Sequence, residues 1–83
     1  MDKLKTLQTA LTARNEEVSE YQINIDNYTR ALVKIEKEHS GKPGMEEFSA
    51  KLNELLSSSK IEQLKAIIIR DVIAEQITEL EAP

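Results

Sequence analysis

The only histidine in the chain belongs to the segment Glu36-Lys37-Glu38-His39, in which a glutamate and the histidine are three residues apart. Residues three apart on a helix share a face, and this Glu-x-x-His spacing supplies metal ligands in di-iron carboxylate bundles. Such a site needs a second copy of the motif, and this chain has one. We therefore assign His39 to a helix C-terminus, where a positive group complements the helix dipole. No metal ligand or other cofactor is predicted, and a metal-binding helical bundle is kept as the second alternative function.

The segment Gly41-Lys42-Pro43-Gly44 places a lysine after a glycine, as phosphate-binding loops do. It lacks the Gly-x-x-x-x-Gly-Lys-Ser/Thr pattern of those loops, so it is interpreted as a turn. The chain has no cysteine and no second histidine, which leaves its serines without a base that could activate them as nucleophiles. The sequence therefore predicts no catalytic residue, and we expect a non-enzymatic protein.

Both glycines and one of the two prolines lie between residues 41 and 44, and the flanking segments are typical of helices. Pro43 and Gly44 suit the central positions of a type II turn, which reverses the chain. With 31% charged and 4% aromatic residues, the composition is that of long helices. We predict one all-α domain over residues 1–83, a coiled-coil-like antiparallel helical hairpin. Helix 1 covers about residues 2–39, the turn residues 40–44 and helix 2 about residues 45–81.

Helix 1 carries one apolar face, and Asp2 is suited to cap its N-terminus. Its apolar residues recur every three or four positions: Leu4, Leu7, Leu11, Val18, Tyr21, Ile25, Tyr28, Leu32 and Ile35. Arg14 interrupts this series at a position that should face helix 2. Either its aliphatic stem packs while the guanidinium reaches water or an acid, or Arg14 is a polar residue that sets the register of the interface.

Helix 2 continues the same spacing, although polar residues take several of its positions. The predicted series is Phe48, Leu52, Leu55, Ser59, Glu62, Ala66, Ile69, Ile73, Gln76 and Leu80. Folding the hairpin about Lys42 places residues whose numbers sum to about 84 opposite each other, so Tyr21 should face Glu62. The alternative is a break at residues 57–59, because Ser59-Lys60-Ile61-Glu62 could be the capping box of a third helix. The spacing persists across the serines, which favours one continuous helix.

A second apolar face distinguishes helix 2 from helix 1. Ile61, Leu64, Ile68 and Val72 recur at helical spacing, roughly opposite the series that faces helix 1. One neighbouring helix cannot cover both faces. These four residues are therefore the predicted self-association surface, and we expect a homodimer or higher oligomer that forms a helical bundle.

The charges indicate which partners to expect. The net charge of −4 comes from 15 acids and 11 bases that are interspersed, without a basic stripe for nucleic acid. Five bases gather near the turn, namely Arg30, Lys34, Lys37, Lys42 and Lys51, so a nucleic-acid-binding hairpin dimer is the first alternative. The leading interpretation is a small interaction or regulatory protein that binds another protein.

The predicted compartment is the cytoplasm. The chain lacks cysteine, and Met1-Asp2-Lys3-Leu4-Lys5 does not begin an apolar signal segment. The longest aliphatic run, residues 66–69, is far shorter than the roughly 20 residues of a membrane span, so no membrane association is expected.

Overall fold

Two long helices account for most of the computed structural model, which describes residues 2–82. Helix α1 spans Lys3–Lys34 and continues as a π-helical turn over Ile35–His39, and helix α2 spans Met45–Glu81. The described residues contain no strand. The helices pack side by side in a rod of 62 × 20 × 15 Å. The predicted all-α helical hairpin is confirmed.

The N-terminus of α1 is capped as the sequence predicts. Asp2 has an extended backbone, and its carboxylate oxygen Oδ1 accepts a hydrogen bond of 3.0 Å from the amide of Leu4. This contact satisfies one of the amides that the first helical turn leaves without a partner in the helix. The cap fixes the point at which α1 begins.

Two consecutive tight turns reverse the chain between the helices. In the first, the amide of Lys42 donates to the carbonyl of His39 at 3.1 Å, and Gly41 has a φ of 81°. In the second, the amide of Met45 donates to the carbonyl of Lys42 at 3.2 Å, and Gly44 has φ 82° and ψ −9°. These angles are those of the glycine in a type II turn, as predicted for Pro43-Gly44. Each turn therefore requires a left-handed residue, and a glycine occupies each of those positions.

The face of α1 that contacts α2, here called its inner face, is the one predicted from the sequence. Ile25 is buried, and the remaining members of the predicted series are half-buried along the whole length of α1. Arg14 is half-buried within this face. A single row of apolar residues was enough to identify the contact surface of this helix because the rest of its surface is polar.

The inner face of α2 differs from the predicted one by a rotation of the helix. Its observed members are Met45, Ser49, Leu52, Leu55, Leu56, Ser59, Gln63, Ala66, Arg70, Ile73 and Ile77. Leu52, Ser59, Ala66 and Ile73 were predicted correctly and are the most buried residues of α2. The placement of Ile69 and Leu80 against α1 was wrong, since about half of each side chain is exposed. Phe48 is exposed to the same extent, but it lines a surface pocket together with Ala31 of α1.

The prediction that Glu62 faces Tyr21 was also wrong, because Gln63 takes that place. Gln63 donates from Nε2 to the carbonyl of Val18 at 3.2 Å and to Oε1 of Gln22 at 2.9 Å. A glutamate carboxylate cannot donate to a carbonyl, and burying its charge against α1 would cost free energy. Glu62 instead lies at the surface, 3.0 Å from the ammonium group of Lys65.

Helix α2 passes through Ser57, Ser58 and Ser59 without interruption. Because Gln63 bonds to Val18 and Gln22, Ser59, one turn earlier in α2, lies near the level of Ile25. Ser59 and Ile25 are each 9% exposed. A small side chain at this level leaves room for a branched one on the facing helix. The serines therefore belong to the helix–helix contact, and no third helix begins there.

Candidate interaction surface

Four large aliphatic side chains of α2 lie on the side that faces away from α1. We call this set the outer face; the exposed fractions are 57% for Ile61, 57% for Leu64, 52% for Ile68 and 45% for Val72. Residues 61 and 72 are about 16 Å apart along the helix axis at 1.5 Å per residue. A helix that packs against one neighbour normally carries polar residues on the opposite side. The outer face is thus apolar surface that folding of the hairpin leaves uncovered.

Ile69, which was predicted to face α1, instead enlarges this surface on one side. Its side chain is 49% exposed and lies between the outer face and α1. The isoleucine run at residues 67–69 has members on three sides of the helix, so spacing alone could not show which of them contacts α1. The sequence did contain one signal. Because opposite residues of the hairpin have numbers that sum to about 84, Arg14 should lie opposite Arg70 rather than Ile69.

Charged residues border the outer face on both sides. At about 100° per residue, Lys60 and Asp71 project from one edge, while Glu75 lies in line with Leu64 and Ile68, about two turns beyond Ile68. All three are exposed, and within residues 2–82 neither Lys60 nor Glu75 forms an ion pair. Glu62 and Lys65 project from the other edge, where they pair with each other at 3.0 Å. Within residues 2–82, Lys60 and Glu75 are thus unpaired, whereas Asp71 pairs with Arg70.

Arg14 and Arg70 are both half-buried, one on the inner face of each helix. Nη1 of Arg14 is 2.9 Å from the carboxylate of Glu17, and Nη2 of Arg70 is 3.1 Å from that of Asp71. Each guanidinium thus pairs with an acid of its own helix, while about a third of each side chain remains exposed. This arrangement matches the prediction that the stem packs and the head reaches an acid. A register-setting role for Arg14 stays a prediction.

The predicted chemistry around His39 takes the form of local contacts near the turn. The ammonium group of Lys42 is 2.9 Å from Nδ1 of His39. Among the residues that the structure describes, no group of three or more His, Cys, Asp or Glu side chains could hold a metal ion. Nearby, Lys34 and Glu38 form an ion pair of 2.8 Å. Hydrogen bonding and charge attraction within this pair raise the pKa of Lys34 and lower the pKa of Glu38.

Comparison of the chain with protein-family models, curated proteins and solved structures gives no match. The outer face is therefore assigned as the candidate site from the structure of α2 alone.

Between residues 2 and 82, neither helix combines the length and the apolar character needed to cross a membrane. In α2 the aliphatic run at residues 66–69 is bounded by the charged residues Lys65 and Arg70.

The basic residues near the turn are accompanied by acids. Lys34 pairs with Glu38 at 2.8 Å, and Lys51 lies 3.7 Å from Glu54. Phosphate recognition by a helix requires bases that are free to contact the backbone of the nucleic acid. Two of the five bases in this cluster are thus engaged with acids of their own helix, whereas no residue of the described chain covers the outer face of α2.

Proposed function

We propose that this chain is a small, non-enzymatic interaction protein that self-associates through the outer face of α2 and acts on another protein, in a regulatory role. The observation that carries the proposal is the exposure of Ile61, Leu64, Ile68 and Val72, each about half accessible to water on a helix whose opposite side is already packed. The cytoplasm is the compartment predicted from the sequence, and we retain it for this role.

The size of the apolar contribution sets the expected affinity. Full burial of such a side chain is worth about 1.5–3 kcal/mol, and about half of each is already covered, so four of them offer about 3–6 kcal/mol from each chain. Two chains therefore contribute about 6–12 kcal/mol, against a cost of association of about 4–15 kcal/mol. The strongest net value, about −8 kcal/mol, corresponds to a dissociation constant of about 1 µM. We expect micromolar or weaker self-association.

The total surface of the hairpin supports the same conclusion. Its solvent-accessible area is 6294 Å² for a mass of 9.4 kDa. A compact monomer of that mass exposes about 5,000 Å². The excess of about 1,300 Å² per chain is larger than the roughly 800 Å² that each partner buries in a standard interface. An assembly of hairpins would bring the exposed area nearer to that of a compact protein.

The experiment compares Ile68→Glu with a matched control, Ile23→Glu. Ile23 is 59% exposed on the side of α1 that faces away from α2, so both variants place a glutamate at an exposed isoleucine. Sedimentation velocity measures self-association, and circular dichroism measures helix content. We expect Ile68→Glu to be helical but to associate at least about tenfold more weakly, because two carboxylates would be buried in the interface. Ile23→Glu should associate like the unmutated protein.

Equal association of Ile68→Glu and the unmutated protein would contradict the assignment of the outer face. Weakening by Ile23→Glu as strong as that by Ile68→Glu would contradict it as well, since the interface would then include α1. An unfolded Ile68→Glu chain would indicate that Ile68 belongs to the core of the hairpin, contrary to its 52% exposure.

A further inference from the structure

We propose that the protein partner of this chain presents a helix with an aliphatic centre and with lysine or arginine side chains about one heptad before and after that centre. The inference rests on the function proposed above, because it takes the outer face of α2 as the interaction surface. It adds the chemistry of the partner, which fits this surface better than a second copy does.

The residues of α2 that point most directly away from α1 are spaced seven apart. Each has an inner-face residue two positions before it and another two positions after it, and two residues turn a helix by about 200°. The members of this line are Glu47, Glu54, Ile61, Ile68 and Glu75, all of them exposed. The line is thus aliphatic in the middle and acidic at both ends.

The acids at the two ends of this line have little compensation from bases. Glu75 forms no ion pair within residues 2–82, and Glu54 lies 3.7 Å from Lys51 in a pair that is open to water on both sides. Lys60 and Lys65 flank the isoleucines at the two edges rather than the ends, and Lys65 already pairs with an acid of its own helix. Each end of the aliphatic centre therefore presents an exposed carboxylate.

A second copy of the chain brings carboxylates to both ends of the contact. An antiparallel copy that sets Ile61 opposite Ile68 also sets Glu54 opposite Glu75, since both pairs are centred between residues 64 and 65. A parallel copy sets each glutamate opposite its own counterpart. Like charges that face each other across an interface oppose association. Self-association is therefore driven by the aliphatic centre and opposed at its ends, in either orientation.

A helix with basic ends reverses this balance without losing the aliphatic contact. Because both ends of the line on α2 are acidic, lysine or arginine at both ends of the partner gains two attractions whichever way the helices run. Nucleic acid and anionic lipid surfaces carry negative charge and would meet the same repulsion as a second copy. The charges of the outer face thus favour a protein helix with basic ends.

A variant of this chain serves as the basic-ended helix in the test. Glu54→Lys combined with Glu75→Lys leaves Ile61 and Ile68 in place. The unmutated chain, labelled at its N-terminal amine, is kept at trace concentration and titrated with the unlabelled double variant or with unlabelled unmutated chain in fluorescence-detected sedimentation. We expect the double variant to bind about 5- to 30-fold more tightly, because both ends change from repulsion to attraction. This advantage should disappear at about 1 M salt, where screening acts within about 3 Å.

Two controls separate the position of the charges from their number. Glu16→Lys combined with Glu20→Lys changes the net charge equally at exposed positions of α1, and this variant should bind like the unmutated chain. Ile68→Glu added to the basic-ended variant should abolish the tighter binding, because a carboxylate would be buried between the helices. Circular dichroism establishes equal helix content before the titrations.

The outcomes for this inference and for the proposed function are distinct. A basic-ended variant that binds no more tightly than the unmutated chain, or no more tightly than the α1 control, would overturn the inference and leave self-association standing. Tight binding of the basic-ended variant to a chain that is itself monomeric would support the inference and overturn the proposed self-association. Absence of binding in every titration would overturn both.

Discussion

The side-chain amide of Gln63 donates a hydrogen bond of 3.2 Å to the backbone carbonyl of Val18 on the facing helix. The same nitrogen donates to Oε1 of Gln22 at 2.9 Å. In residues 2–82 these are the hydrogen bonds that a side chain makes from one helix to the other. They fix the position of α2 along α1, because the apolar contacts between the two helices have no directional preference.

Replacement of Gln63 by alanine should therefore destabilise the hairpin. Two hydrogen bonds are lost, and the expected decrease in the free energy of unfolding is about 1–2 kcal/mol. Urea denaturation followed by circular dichroism measures the change. Gln8→Ala, at an exposed position of α1, is the matched control and should have no destabilising effect. A Gln63→Ala protein as stable as this control would show that the contact does not contribute to the fold.

Gly44 provides a test of the turn. Its φ of 82° is accessible to glycine but strained for alanine, and a Cβ atom built at this position meets no atom within 4 Å. The cost of Gly44→Ala is therefore that of the backbone alone, about 1–2 kcal/mol in the free energy of unfolding. Ser40→Ala, in the preceding turn and with φ −57°, should be nearly neutral. Equal stability of the two variants in urea would contradict the type II turn.

The turn and the inner face of α1 could be predicted from the sequence because each has a local and unambiguous cause. Gly41 and Gly44 are the residues for which a positive φ carries no steric penalty, and α1 has one apolar face. The π-helical turn over Ile35–His39 has no comparable signal. Its five-residue hydrogen-bond spacing depends on how the end of α1 meets the turn, and the residue types do not encode that.

The inner face of α2 was predicted only in part, because this helix is apolar on several sides. Both Leu55 and Leu56 fit a spacing of three or four residues from Leu52, and the prediction chose the series that runs through Leu55. In the structure both leucines are half-buried, and farther along the helix Gln63 and Arg70 take the places against α1 that were predicted for Glu62 and Ile69. The choice depends on hydrogen bonds across the hairpin, which spacing does not reveal. The outer face was identified despite this rotation because its four residues lie roughly opposite both series.

Arg14→Leu tests whether the arginine contributes stability or specificity. More than a third of the Arg14 side chain is exposed, so a leucine there should gain about 1–2 kcal/mol of stability rather than the full value for a buried side chain. Urea denaturation measures the gain, with Arg30→Leu at an exposed position as the control. If Arg14 also sets register, light scattering will show mixed species. A single unchanged species would leave packing of its stem as its role.

Ser59→Ala should be neutral or slightly stabilising, by up to about 0.5 kcal/mol, because alanine is the better helix former and still fits at the level of Ile25. Ser59→Leu should destabilise by about 1–3 kcal/mol, because the added volume meets Ile25. Thermal or urea unfolding distinguishes the two variants. A loss above about 1 kcal/mol for Ser59→Ala would instead mean that the hydroxyl caps a helix, contrary to the continuous α2.

The concentration dependence of sedimentation tests self-association most directly. The unmutated protein is centrifuged to equilibrium at concentrations from about 5 µM to about 500 µM, a range that brackets micromolar and weaker dissociation constants. We predict a weight-average mass that rises from the monomer value of 9.4 kDa toward twice that value as the concentration increases. A mass that stays at the monomer value over the whole range would contradict the proposal that α2 is an interaction surface for a second copy.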